Sequence, residues 1–301
     1  MKDKEMLKVH SILFLGVIGI SFSAIIIRNI SAPPTIIAMY RLLITTLLFM
    51  PFTLTRRIQE LKKATLRDYF LCCLSGLFLA LHFITWITSL FHTSVAASTV
   101  LVSMQPIFTA LVAFILFRER IGKRALVGMM IAIIGSSIIG LEGFGNEDGS
   151  FYGNMLALIG GLMGALYVTI GRGMRQKMSN LTYGFLVYGS CSIVLILVNI
   201  FTKTPFGGYS TIDYIYFAAL AIICTVGGHT VLNWGLKYVE ASKISTFMLG
   251  EPVGATFLAI IILKELPGIL QIIGGVLILL GLYIFTGMSE RLKGKRAATT
   301  N

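Results

Sequence analysis

The chain has 301 residues, 56% hydrophobic and 13% charged, with a mean hydropathy of +0.86 and a formal charge of +12. A soluble domain carries roughly a quarter of its residues as charged side chains, so this composition excludes an ordinary soluble fold and points to a chain that crosses a membrane several times. The positive charge does not signal nucleic acid, because the basic residues lie in short loops between long apolar runs, and the four cysteines (Cys72, Cys73, Cys191, Cys224) lie inside those runs with no metal-binding or disulfide spacing.

Ten apolar segments follow in chain order: Val9–Ile27, Pro34–Leu54, Asp68–Leu90, Val95–Phe117, Ala125–Leu141, Phe151–Ile170, Leu181–Phe201, Ile212–Leu236, Ser242–Leu263 and Gly268–Gly287. Most have the roughly 17–25 residues that a spanning helix needs. The first is longer than a typical signal-peptide core and no A-x-A-like site follows it, so it reads as a span that is retained. With the N-terminus in the cytoplasm, the cytoplasmic segments hold 21 of the 25 basic residues. The outer loops hold Arg28, Lys203 and Lys264, and Arg41 lies inside the second segment. The positive-inside rule therefore predicts a multi-pass protein of the cell (inner or plasma) membrane with both termini cytoplasmic. The basic tail 289–301 then lies near anionic lipid.

Pro106 and Pro252 are 146 residues apart, and the same offset relates Glu119 to Glu265, Gly128 to Gly274, Gly135 to Gly281 and Leu90 to Leu236. The chain thus reads as two five-helix repeats, 1–145 and 146–288. Five is odd, so equivalent helices run in opposite directions. The predicted fold is an all-α membrane protein with ten transmembrane helices in two inverted-topology repeats, a plan of secondary transporters in which substrate binds at the repeat interface near mid-membrane.

The pattern Pro106–Glu119–Gly128–Gly135, repeated as Pro252–Glu265–Gly274–Gly281, resembles the EamA family of the drug/metabolite transporter superfamily over essentially the whole chain. The resemblance implies a ten-helix carrier, often an exporter of metabolites, amino acids or toxic compounds, and names no substrate.

The candidate site residues are polar groups inside spans. Glu251, in the ninth segment, lies near mid-bilayer by helical rise. A carboxylate there is costly when charged and can take up a proton, as a proton-coupled carrier requires. Gln105 is its mate at the 146-residue offset, and each precedes a proline, Pro106 or Pro252. Each proline frees a carbonyl and is expected to break or kink its helix. Arg41, about 10 Å in from the outer end of the second helix, pairs with Glu251, binds a substrate carboxylate or snorkels to the surface. Tyr40 beside it is a candidate for the same cavity. His82 and Trp86 share a helix face, and His229 and Asn233 repeat that spacing in the second half. Glu119 and Glu265 read as helix-end caps, and the repeated glycines as close-packing seams.

These features predict a secondary transporter of a small-molecule substrate in a lipid bilayer, with a proton as the candidate coupling ion, and the family resemblance implies export, here by antiport. An uncoupled channel or facilitator is the alternative. A membrane-embedded enzyme ranks below both, since no GxSxG, HExxH or P-loop motif is present. No cofactor, metal or nucleic-acid partner is expected, and the sequence sets no oligomeric state.

Overall fold

The computed structural model describes residues 3–117, 122–143, 150–235 and 248–298. Glu119, the acidic residues Glu147 and Asp148, and the stretch 236–247 that opens the ninth predicted segment lie outside them. All regular structure among the described residues is helical: α1 Asp3–Arg28, α2 Pro34–Arg56, α3 Ile58–Lys63, α4 Leu66–Ser89, α5 Val95–Val102, α6 Gln105–Phe117, α7 Lys123–Gly143, α8 Ser150–Met174, α9 Asn180–Phe201, α10 Thr211–Ala219, α11 Val231–Gly235, α12 Gly250–Leu258 and α13 Ile269–Ala298. A π-helical stretch, Leu220–Thr230, joins α10 to α11, and a second, Ala259–Leu263, extends α12. Eight helical stretches among the described residues are long and apolar enough to cross a membrane. Two shorter apolar helices, Gly250–Leu263 and Ile269–Phe285, accompany them.

The polarity runs opposite to that of a soluble protein. Phe14, Leu15, Leu48, Phe70, Ile115, Ile193, Phe257 and Ile273 face outward, while Ser21, Ser23, Arg41, Thr45, Ser75, Thr99 and Thr225 are buried. An outward belt of large apolar side chains suits lipid tails. A buried hydroxyl must find its partner inside the protein. Here the hydroxyls of Thr45, Thr53, Thr99 and Ser192 each donate to the carbonyl four residues earlier, at 2.7–2.9 Å.

The fourth predicted segment is broken, but not at its proline. α5 ends at Val102, Ser103 and Met104 form a turn, and α6 restarts at Gln105, which puts Pro106 in the first turn of the new helix. The reason is that a proline needs no intrahelical acceptor in the first turn, whereas it cannot serve the carbonyl of Val102 behind it. In the second half Leu249 is the turn residue and Pro252 lies in the first turn of α12. Both breaks therefore precede the predicted positions.

Carboxylates fix the ends of the bundle. At one end Asp213 closes a capping box with Ser210 and accepts from the backbone N–H of Ser31 at 3.0 Å. Glu265 pairs with Arg28 at 3.4 Å and accepts from the N–H of Val95 at 2.6 Å, capping α5. Arg28 also donates to the carbonyl of Leu90. At the other end Asp68 closes a capping box with Thr65 and pairs with Lys177 at 2.9 Å.

Glu60, on α3 between α2 and α4, accepts from the Ser179 N–H at 2.9 Å and the Thr182 hydroxyl at 2.7 Å, and so holds the start of α9. Burial alone would push the Glu60 carboxyl up. The hydrogen bonds from Ser179 and Thr182, with Arg57 beside it, outweigh this and hold it below its ordinary value. A depressed folded-state value stabilises above the unfolded value and is lost as pH falls through the folded one. Glu60→Gln is accordingly expected to flatten the acid limb of the thermal-stability profile below about pH 4. Melting curves of both proteins from pH 3 to 6 check this; parallel acid limbs would count against it.

α4 packs on α8 and α9, and α1 packs on the Leu220–Thr230 stretch and α12. α2 packs on α9 and on the same π stretch, and α7 packs on α13. Glycines make the last contact. A Cβ at Gly128 would stand 2.6 Å from the carbonyl oxygen of Gly281, and one at Gly281 would stand 2.5 Å from that of Gly128. Gly135 and Gly274 face each other in the same way, at 2.5 and 2.6 Å. The two helices thus touch backbone to backbone and run antiparallel. This is the small-residue seam that the repeated glycines predicted.

Candidate functional site

Arg41 is the centre of the polar interior. It lies on the buried face of α2 at 0% exposure. Its Nε donates to the hydroxyl of Thr225 at 2.9 Å, and its Nη1 to the hydroxyl of Ser23 on α1 at 2.9 Å. Its Cζ sits over the Phe83 ring of α4, 4.7 Å from the centroid. Thr225 passes its own proton to the carbonyl of Leu220 at 3.1 Å, five residues back. That donation fits the wider π turn, and π segments inside α-helices frequently mark functional sites. Nη2 of Arg41 is buried with no partner among the described residues.

Full burial means that Arg41 does not snorkel, and no carboxylate touches its guanidinium among the described residues. Glu251, half-buried at the start of α12, is close enough for its charge to act on Arg41 and on the Cys224 thiol. No hydrogen bond or ion pair to its carboxylate is seen among the described residues. Its helix is positioned by α1: the Ser21 hydroxyl donates to the carbonyl of Val17 at 2.8 Å and reaches toward that of Glu251 at 3.4 Å. A Cβ at Gly254 would stand 2.4 Å from that same hydroxyl oxygen.

On α4, His82 and Trp86 stack with ring centroids 6.0 Å apart and 17° between planes. His82 Nδ1 is 2.8 Å from the carbonyl oxygen of Gly160 on α8. A carbonyl only accepts, so Nδ1 carries the proton and Nε2 of the neutral ring is left as an acceptor. The amide oxygen of Gln105 approaches α8 at Gly164 beside His82, where an added Cβ would meet the two side chains at 2.6 and 3.1 Å. Trp86 is 4% exposed and its Nε1 is buried with no partner among the described residues. His229, on the π stretch, lies within electrostatic range of Arg41 and of His82. Asn233 lies in the short helix α11, and its side chain is outside the described residues.

Tyr40 does not join this group. Its hydroxyl donates to the carbonyl of Phe206 at 2.8 Å, and its ring stacks on Phe217 at 4.7 Å. Consecutive residues of a helix are about 100° apart around the axis, so Tyr40 and Arg41 cannot share one face. Ser23, Thr225 and Phe83, which hold Arg41, gave no signal in the sequence beyond two hydroxyls inside apolar runs. The pairing of Arg28 with Glu265 was also missed, because it joins the end of α1 to a residue 237 positions away.

A polar centre of this kind, inside a wall of outward-facing apolar helices, can be set beside known proteins. The EamA-like transporter family matches the chain twice, over residues 7–141 and 151–287. The chain belongs to the EamA-like transporter family. The EamA match covers both halves, as the repeated proline and glycine pattern implied. An uncharacterized transporter of Archaeoglobus fulgidus is 30% identical over 195 residues, covering 64% of this chain and 68% of the relative. The Bacillus subtilis uncharacterized transporter YetK is 28% identical, covering 62% of this chain and 60% of its own. YdfC, another uncharacterized transporter of that bacterium, is 23% identical over 91% of this chain and 89% of its own. A crystal structure superposes with a TM-score of 0.64 over 95% of this chain and 98% of that one, at 18% identity, which speaks for the fold alone. This EamA chain is therefore a multi-pass membrane protein of a transporter family.

Proposed function

We propose that the chain is a secondary transporter whose two five-helix repeats, 1–145 and 146–288, are inverted relative to each other, giving ten spans with both termini and the tail 289–301 cytoplasmic. The carrier exports a small metabolite, amino acid or drug-like compound across the cell membrane. Glu251 is its proton-binding group, and Arg41, His82, Trp86, Gln105 and His229 line the substrate site.

The observation that carries this reading is the symmetry of the helix contacts. α1 packs on the π stretch and on α12, and its repeat mate α8 packs on α4 and on α5–α6. α2 packs on the π stretch, and its mate α9 packs on α4. The pairs α2–α9 and α7–α13 are mates of each other. A two-fold exchange of the halves thus maps these pairings onto one another or onto themselves. The antiparallel glycine seam supports inversion rather than simple duplication. Carboxylate, guanidinium and imidazole groups gather where the halves meet, the place a carrier must expose to each side in turn.

The test is flux. Protein reconstituted into liposomes and given an imposed pH gradient is expected to move a subset of a metabolite panel saturably, with proton movement in the opposite direction. Flux that rises linearly with substrate would indicate a channel. Product formation without net movement would indicate an enzyme.

A further inference from the structure

We propose that Arg41 and Trp86 form a receptor for a carboxylate, so that the substrate class of this transporter is small organic acids with an apolar body. The inference rests on the transporter reading above and narrows its substrate.

The argument begins with a buried charge. Arg41 is fully buried, and its two side-chain acceptors, Ser23 and Thr225, are neutral hydroxyls. Hydroxyls meet the direction of its N–H bonds but not its charge, and a buried cation without a counter-charge is costly. Glu251 lies within electrostatic range, and no hydrogen bond or ion pair joins the two among the described residues. Two buried side-chain nitrogen or oxygen atoms among the described residues lack a partner, Arg41 Nη2 and Trp86 Nε1, and both are donors. Phe83 links them: its ring lies under the guanidinium at 4.7 Å, and its centroid is 6.3 Å from that of Trp86. A site left with N–H donors, one positive charge and aromatic walls calls for a ligand that brings oxygen acceptors, a negative charge and an apolar face. A carboxylate matches the planar fork of a guanidinium. In this conformation the helices close over Nη2, so entry requires them to part, as a carrier's do on alternating access.

Phenylacetate, phenethylamine and phenylacetamide probe the site, having one body and three charges. The chain has two tryptophans, so in the Trp234→Phe protein Trp86 alone reports binding. Phenylacetate is expected to change its emission saturably, with the amine and the amide at least about tenfold weaker. Arg41→Met in that background is expected to abolish the response, and Arg41→Lys to restore part of it. Equal binding of the amine or amide, no saturation by phenylacetate, or an unchanged response in Arg41→Met would overturn the proposal. The ligand series needs no Arg41 variant and stands even if Arg41→Met fails to fold. Acid binding without flux in liposomes would refute transport and keep the receptor. Saturable flux of other compounds with no acid binding would do the reverse.

Discussion

Gly281→Ala is expected to destabilise the protein more than any other single methyl group added to the helix seams. The new Cβ would stand 2.5 Å from the carbonyl oxygen of Gly128 and 2.7 Å from the backbone nitrogen of Ala132. Neither obstacle is a flexible side-chain tip, so α7 and α13 must separate along their length. Overpacking of this kind costs about 1–3 kcal/mol, and more when backbone is struck. The expected readout is a drop of several degrees in the melting temperature of the detergent-solubilised protein, with faster aggregation. Gly140→Ala on the same α7 is the control, because a Cβ there has open space around it. Equal melting temperatures for the two variants would show that the seam is not the tight contact it is taken to be.

Glu251→Gln is expected to have the largest effect on transport. Glutamine keeps the volume and hydrogen-bonding capacity of the side chain but cannot exchange a proton. The Arg41 guanidinium and the Cys224 thiol lie within electrostatic range of its carboxylate, and the Ser21 hydroxyl reaches its backbone carbonyl at 3.4 Å. Of these, only Arg41 carries charge at neutral pH. If the carboxylate is the coupling group, flux driven by a pH gradient should fall by at least about tenfold, equivalent to 1.4 kcal/mol. Substrate exchange at equal pH on both sides should persist. Gradient-driven flux that is intact in Glu251→Gln would assign coupling elsewhere or remove it.

Several helix starts were legible because hydrophobicity acts one residue at a time. Pro34, Ser150 and Asn180 begin helices within two residues of the predicted starts for that reason. The helix break was predicted too late, since proline marks the turn after a break and not the break itself. The π-helical winding from Leu220 to Thr230 had no readable signal, although its Gly228 packs so closely on α1 that a Cβ there would meet Ile20 at 2.4 Å. The site was readable in part. An arginine and a glutamate inside apolar runs stand out by cost alone, whereas Ser23, Phe83 and Thr225 become partners of Arg41 only once three helices have packed. Misplacing Tyr40 was avoidable, because its adjacency to Arg41 in sequence already puts it on a different face of α2.

The α7–α13 seam has one more implication. By the 146-residue offset Gly128 corresponds to Gly274 and Gly135 to Gly281, so the two contacts, Gly128 with Gly281 and Gly135 with Gly274, are copies of one another. Each glycine meets the counterpart of its neighbour seven residues along, which is the rule of an isologous homodimer interface. One five-helix unit carrying this single patch would have everything needed to pair with a second copy of itself. Within the present chain the patch is written twice, once on each side of the seam, so a change in either copy is felt at a contact that both halves share.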